Sequence, residues 1–410
     1  MRCGLLGRKL GHSYSPQIHR QLGNYAYTLF EKEPQELEEF LKSGDFTGLN
    51  VTIPYKKDVI PFLDELSPVA KRLGAVNTIV RREDGSLIGH NTDYFGFRYL
   101  VNRSGLDVGG KKVLVLGSGG ASNTAVAVLQ ELGANVVIIS RSGENHYGNL
   151  TLHSDAAVIV NTTPVGMYPN TGVSPLDLGV FPRLEGVLDV VYNPAKPKIL
   201  LDAEARGLVA MNGLGMLVAQ AKQSAEWFTG CPIDDSKITE IHDSLRRQME
   251  NLILIGMPGC GKTTIGMLLA QRTGKKFVDA DEALEQRVGK PITEIIPTEG
   301  ESAFRQMETD TLAQLGKQSG LVIATGGGCV TQERNHPLLH QNGTILWLTR
   351  SIDKLPTDGR PLSQAGKLSE MFEKRRALYE RFADISVSND GPVEEALAQI
   401  MAALEKEETV

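Results

Sequence analysis

Short apolar runs alternate with longer stretches that are apolar on one side only, from one end of the chain to the other. RCGLLG at 2–7, GLNVTI at 48–53, VLVLG at 113–117, VVIIS at 136–140, AVIVN at 157–161 and GVLDVVY at 186–192 have the length and branching of buried strands. Stretches 16–23, 34–42, 67–73, 95–103, 121–132, 196–206 and 215–228 have helical periodicity. A further helix is predicted over 235–248, with Asp235 as N-cap. NLILIG at 251–256 then opens a new strand with no Gly/Ser-rich or Pro-rich linker before it. This alternation predicts βαβ units and parallel sheets, an α/β fold. The main domain boundary is expected near Arg247–Gln248.

Two of these strands run into glycine-rich turns. GMPGCGKTT at 256–264 fits GxxxxGK[ST] at every fixed position, after an apolar strand and before TTIGMLLAQRTG. Backbone N–H groups of such a loop, with the helix N-terminus, bind phosphate oxygens. Gly256, Gly259 and Gly261 permit the close approach, Lys262 reaches the terminal phosphates, Thr263 serves Mg²⁺ and Thr264 opens the helix. FVDADEAL follows the next strand, with Asp279 and Asp281 two residues apart and therefore on one face if extended. One carboxylate suits the metal and the other an acceptor hydroxyl. The other turn, GSGGAS at 117–122, follows KKVLVL and opens a helix, as a dinucleotide-binding turn should. Alone it is a weak signal, because its spacing departs from GxGxxG.

Composition changes little. The chain has 410 residues, 41% hydrophobic and 22% charged, enough for two to four domains with substantial cores. A net charge of −6 argues against nucleic acid as a partner. Cys3, Cys231, Cys260 and Cys329 form no CxxC pair and read as thiols of a reducing cytoplasm. No segment has the apolar length of a membrane span, so no membrane association is expected.

SAFRQME supplies Arg305, ATGGGCV supplies Gly326, Gly327 and Gly328, TDGRPLS supplies Arg360, and KRRALYERFAD supplies Arg375. Together with the phosphate loop and Asp279/Asp281, this series over about 249–401 resembles shikimate kinase. The resemblance implies that Asp281 orients the accepting hydroxyl and that Arg305 and Arg375 pair with the substrate carboxylate. It also implies that the three glycines let backbone approach the ring, and that Arg360 rides a lid and neutralises phosphate charge. The stretches from Arg350 to Arg360 and from Arg360 to Arg375 are shorter than that family's lid, so no adenine-side residue is assigned.

The first half carries a second series. GHSYSPQIH has Ser13 and Ser15, GLNVTIPYKK has Asn50, Thr52 and Lys56, GAVNTI has Asn77, and GHNTDYFGF has Asp93. VNTTPVGM, DVVYNP and GLGMLVAQA follow. This order resembles shikimate dehydrogenase along 1–247. A Lys beside an Asp can pass a proton to and from a hydroxyl while hydride moves to or from nicotinamide; Lys56 is the proton carrier expected, and Asp93 its partner. In isolation Lys56 reads equally well as a solvated surface lysine. The resemblance implies that Ser13 and Ser15 hold the substrate carboxylate, that Thr52, Asn77 and Gln220 bind ring hydroxyls, and that Tyr192 lies near the substrate. His12 and His19 are read as structural.

The expected cofactor is NADP(H), bound by Gly117, Gly119, Gly120, Ala121, Ser140, Arg141 and Gly213. An NAD site usually ends its second strand in Asp or Glu; here that strand ends in Ser140 and Arg141, which suit a 2′-phosphate. Only GENHYGNLTLHSDA separates this point from the next strand, too short for a helix, so the cofactor lobe is expected to be trimmed.

The sequence thus predicts a two-lobed dehydrogenase fused to a P-loop three-layer α/β kinase. The substrate lobe spans 1–98 and is completed by helices near 216–248; the Rossmann-like lobe spans 99–215; the kinase spans 249–410. Ligands are NADP(H), ATP, Mg²⁺, 3-dehydroshikimate and shikimate, and homo-oligomerisation is left open. The rival reading is a quinate/shikimate dehydrogenase whose kinase half senses nucleotides or acts as a scaffold.

Overall fold

A computed structural model describes residues 1–11, 13–355 and 365–406. The chain divides into two compact units. The first comprises 1–165, 174–192 and 199–244; the second comprises 166–173, 193–198 and 245–410.

In the first unit, β1 (Arg2–Gly7), α1 (Ser15–Leu22), β2 (Ala26–Glu31), α2 (Leu37–Ser43), β3 (Gly48–Val51), β4 (Glu65–Leu66), α3 (Pro68–Leu73), β5 (Thr78–Arg81) and β6 (Leu87–His90) form the first lobe. Its six-stranded sheet has the order β2-β1-β3-β5-β6-β4. This sheet departs from the all-parallel expectation: β3 pairs antiparallel with β5, and β5 with β6. The β5–β6 pairing follows from a tight hairpin at Asp84-Gly85. Gly85 takes φ +85°, Arg82 N donates to Ser86 O at 2.9 Å, and Asp84 Oδ1 accepts from Ser86 N at 3.0 Å. Two antiparallel strands need only such a turn, whereas a parallel pair needs a crossover.

Helix α4 (Asp93–Ser104) leads into a second, wholly parallel sheet: β7 (Lys112–Leu116), α5 (Gly120–Glu131), β8 (Asn135–Ile139), β9 (Val158–Asn161), β10 (Gly186–Asp189), α6 (Lys198–Glu204) and β11 (Val209–Met211), in the order β11-β10-β9-β7-β8. Alternation along β7 serves two cores. Val113 and Val115 pack with Val128, Leu129 and Phe97, while Leu114 and Leu116 pack with Ile139, Phe181 and Ile199. A run apolar at every position is what burial on both faces requires. Between β8 and β9 there is no α-helix, only a 3₁₀ turn at Leu150–His153, as the short spacer predicts. Helix α7 (Leu214–Thr229) returns to the first lobe and packs tightly on α4, where a Cβ on Gly96 would stand 2.6 Å from Met216 O. Helix α8 (Ser236–Met249) follows.

The second unit is built on β12 (Asn251–Ile255), α9 (Lys262–Thr273), β13 (Lys276–Asp279), α10 (Ala280–Val288), α11 (Ile292–Glu299), α12 (Glu301–Gly316), β14 (Leu321–Ala324), α13 (Asn335–His340), β15 (Gly343–Thr349), α14 (Ala365–Phe382), β16 (Ile385–Ser388) and α15 (Val393–Lys406). Its five strands are parallel in the order β13-β14-β12-β15-β16. The central strand β12 is buried at all five positions. Residues 193–198 belong to this unit: Ala195 N donates to Asn342 Oδ1 and Lys196 N to Gln341 O, both at 2.8 Å.

Candidate active sites

The first site lies between β3, α4 and α7. Lys56 stands in the turn after β3. Tyr55 beside it is fully buried and donates to Lys32 O at 2.5 Å, and Val76 N donates to Lys56 O at 2.7 Å, so the turn is anchored on both sides. Lys56 Nζ meets Asp93 Oδ2 at 2.6 Å, with the two side chains 30% and 18% exposed. Lys56 is therefore partly buried and ion-paired rather than freely solvated. Asp93 occupies the first turn of α4, where the helix dipole favours a carboxylate. Thr92 before it makes no side-chain cap; its N–H donates to Asn77 Oδ1 at 2.7 Å, which draws the start of β5 against the start of α4.

Behind this pair lies a buried polar cluster. Thr92 Oγ1 is 3.3 Å from Gln220 Oε1 and 3.2 Å from Asn77 Oδ1. Gln220 Nε2 donates to Leu217 O at 3.0 Å, which fixes the amide. Ser13 and Ser15 adjoin at the start of α1, Ser15 N donating to Ser13 Oγ at 3.2 Å. Tyr14 between them meets Tyr192 edge-on, with ring centroids 6.2 Å apart. Burial raises the pKa of both phenols. Thr52 stands at the end of β3 with its methyl towards Gly7, outside the cluster. His19 is structural: it stacks on Tyr27 at 4.1 Å, pairs with Tyr25 Oη at 2.7 Å, and burial pushes it down to about 3. His12 lies outside the described residues.

In the Rossmann-like lobe, Gly117 takes φ +107°, and a Cβ there would stand 3.0 Å from Thr162 and Thr163. Around Gly119 and Gly120 a Cβ would meet no protein atom within 4 Å. Packing therefore does not demand glycine there, but an approaching pyrophosphate does, and the loop fits a dinucleotide. Ala121 stands in the first turn of α5. Gly213 differs: a Cβ would stand 2.1 Å from Val190 O, so packing alone accounts for it. Ser140 Oγ donates to Ser142 O, and Arg141 beside it is exposed. At the strand ends, Asp189 is fully buried and accepts from Asn161 Nδ2 at 3.1 and 3.0 Å; burial lifts it to about 7 against these hydrogen bonds.

The second site surrounds the loop between β12 and α9. Gly256, Gly259 and Gly261 all have positive φ, at +144°, +83° and +102°, a region costly for other residues. Lys262 Nζ lies over the loop, 3.0 Å from Gly256 O and 3.1 Å from Met257 O. Thr264 is exposed in the first turn of α9. Thr263 Oγ1 reaches Asp279 Oδ2 at 3.1 Å, while Asp279 Oδ1 caps α10 by accepting from Asp281 N at 3.0 Å. Two hard oxygens beside a phosphate loop fit Mg²⁺, which keeps most of its water.

The three glycines assemble the rest. A Cβ on Gly326 would stand 2.8 Å from both Asp281 Oδ1 and Glu308 Oε1. On Gly327 it would meet Pro258 of the phosphate loop at 2.7 Å, and on Gly328 the Arg305 guanidinium at 2.4 Å. Gly327 O accepts from Arg375 Nη1 at 3.0 Å and from Tyr379 Oη at 2.5 Å. Asp281, Arg305 and Arg375 thus converge beside the loop. Burial, and then Asp279, raise the pKa of Asp281. Arg360 lies outside the described residues. Glu308 and Tyr379 were not anticipated from sequence. Glu308 pairs with Arg305 at 2.8 Å, and its Oε1 is buried without a hydrogen-bond partner. The signal was spacing: i,i+3 from Arg305 and i,i+4 from Arg375 place them on shared helix faces.

Comparison with known proteins finds relatives of both parts of the chain. Residues 258–405 match the shikimate kinase family, and residues 5–79 match the shikimate dehydrogenase substrate binding domain. The shikimate dehydrogenase (NADP(+)) of Clostridium perfringens (strain SM101 / Type A) is 37% identical over 265 residues, 59% of this chain and 97% of that protein. The crystal structure of shikimate dehydrogenase 1 from Peptoclostridium difficile superposes with a TM-score of 0.55 at 37% identity, covering 60% of this chain and 97% of that one. A chorismate mutase/shikimate 5-dehydrogenase fusion protein from Clostridium acetobutylicum gives 0.57 at 36%, covering 60% and 96%. The chain therefore belongs to the shikimate dehydrogenase family and carries a shikimate kinase domain behind it, a fusion of the two.

Proposed function

We propose that the protein reduces 3-dehydroshikimate to shikimate with NADPH and then phosphorylates shikimate from ATP to shikimate 3-phosphate. The observation that carries this reading is that one chain brings Lys56 to Asp93 in its dehydrogenase part and Asp281, Arg305 and Arg375 to a phosphate loop in its kinase part.

Bound NADPH supplies the hydride. Lys56, paired with Asp93, gives its proton to the ketone oxygen as the alcohol forms, and Asp93 keeps the lysine aimed. Ser13 and Ser15 hold the substrate carboxylate, with Tyr192 beside them. Asn77 and Gln220 receive ring hydroxyls. Ser140 and Arg141 favour the 2′-phosphate of NADP(H).

In the kinase, Mg-ATP supplies the phosphoryl group. Thr263 and Asp279 would hold Mg²⁺, which would offset phosphate charge, and Lys262 draws the terminal phosphate. Arg305 and Arg375 fork the shikimate carboxylate, and Asp281 accepts a hydrogen bond from the attacking hydroxyl. Little covalent work falls to the protein, which positions and neutralises.

Among the described residues no helix is long and apolar enough to cross a membrane. A cytoplasmic location suits the four free cysteines. The test is a single incubation with 3-dehydroshikimate, NADPH and Mg-ATP, read by mass spectrometry. Shikimate 3-phosphate is the expected product; shikimate alone would refute the kinase assignment, and an unchanged substrate would refute the dehydrogenase.

A further inference from the structure

Ser224 sits in the second half of α7, fully buried, with fully buried Ala225 next to it and Ala221 one turn before it. Alanine is the better helix former there, since a mid-helix serine competes with the helix for hydrogen bonds. Its hydroxyl is nevertheless the meeting point of four elements. Ser224 Oγ donates to Gln220 O at 2.9 Å. It lies 2.8 Å from Asn50 Nδ2, 2.9 Å from Thr78 Oγ1 and 3.0 Å from Thr92 Oγ1.

Counting protons makes this junction informative. With its hydrogen on Gln220 O, Ser224 Oγ has two acceptor positions left. Asn50 Nδ2 can only donate, and its orientation is set because Asn50 Oδ1 accepts from Tyr27 Oη at 2.7 Å. One position therefore remains for two threonines. Thr78 has a second acceptor in Asn77 Oδ1 at 3.2 Å. Once Thr78 points there, Thr92 gives its proton to Ser224. Gln220 Oε1 is then released to accept from a ligand. Without the serine oxygen, Thr92 is left with Asn77 Oδ1 at 3.2 Å and Gln220 Oε1 at 3.3 Å. The two lone pairs of Asn77 Oδ1 are taken by Thr92 N at 2.7 Å and by Thr78, so Thr92 occupies Gln220 Oε1 itself.

We infer that Ser224 is a positioning residue of the dehydrogenase: it sets the hydrogen-bond polarity of Thr92 and Gln220, and so the discrimination between substrates by their ring hydroxyls. This inference rests on the reading of Asn77 and Gln220 as hydroxyl-binding groups. A site built to pair a hydroxyl rejects an analogue that lacks it, provided the acceptor is kept open.

The test is Ser224→Ala in the full-length protein. The KM for shikimate should rise about tenfold, as the loss of one well-placed hydrogen bond predicts. The kcat and the KM for NADP should stay within about twofold, and the preference for shikimate over a deoxy analogue should narrow by a similar factor. Kinase activity of the same molecules reports that the chain is folded. Thr78→Val is the companion variant: it leaves Thr92 in sole possession of Ser224 and should move the shikimate KM by less than about twofold. An unmoved KM in Ser224→Ala, a parallel loss of NADP affinity, or an equal effect of Thr78→Val overturns the inference. A wild-type enzyme inert towards shikimate overturns both it and the functional reading.

Discussion

At the scale of the residue, the two proposed chemistries rest on two lysines in different environments. Lys56 is held by a carboxylate at 2.6 Å, and Lys262 by the carbonyls of its own loop. Lys56→Ala should lower ketone reduction by about 10²–10⁴-fold, the usual worth of a positioned acid, and leave phosphorylation of supplied shikimate within about twofold. Lys262→Ala should do the reverse, with a loss of at least about 10². Steady-state assays of both reactions on each variant check this; loss of both activities in a folded variant contradicts independent chemistry. These lysines were legible in sequence because fixed neighbours surround them. Glu308 was not: a glutamate on a polar helix face is ordinary, and its burial against Arg305 depends on a glycine loop from another strand.

At the scale of the element, glycines divide into those that packing requires and those that leave room. Gly119 has φ −87° and open space around its missing side chain. Gly119→Ala should therefore fold normally but raise the KM for NADPH about tenfold, since the added methyl stands where the pyrophosphate approaches. Gly328→Ala has a different outcome. Its methyl would press on the Arg305 guanidinium, so the kinase KM for shikimate should rise while that for ATP stays unchanged. Kinetics against each substrate in turn distinguish the two. Most helices were legible within one or two residues, because amphipathic periodicity is local. The edge strand Ala26–Glu31 and the β5–β6 hairpin were not. Their burial is partial, and their pairing depends on β1 and β3 far away in sequence.

At the scale of the whole molecule, pH provides a handle on the dehydrogenase unit. Burial lifts Asp189 to about 7, above the carboxylate's unfolded value of about 4. The folded chain then holds a proton that the unfolded chain has lost between those limits. This contribution to stability is present at low pH and is lost as pH rises through the window. Asp189→Asn keeps a neutral group there, so its Tm should fall less from pH 4.5 to 7 than that of the wild type. Calorimetry over that range checks this, and parallel curves would contradict it.

The order of strands and helices, the phosphate loop and the trimmed spacer after β8 were already decided by local pattern: periodicity, glycine spacing and chain length act over a few residues. What only the tertiary structure decided is which distant side chains meet. The resemblance anticipated Asp93 beside Lys56, but Gly326 over Glu308, and Ser224 between Asn50, Thr78 and Thr92, are products of packing between elements far apart in sequence. Desolvation and hydrogen-bond partnership, which give these groups their chemistry, exist only once the elements are closed on one another.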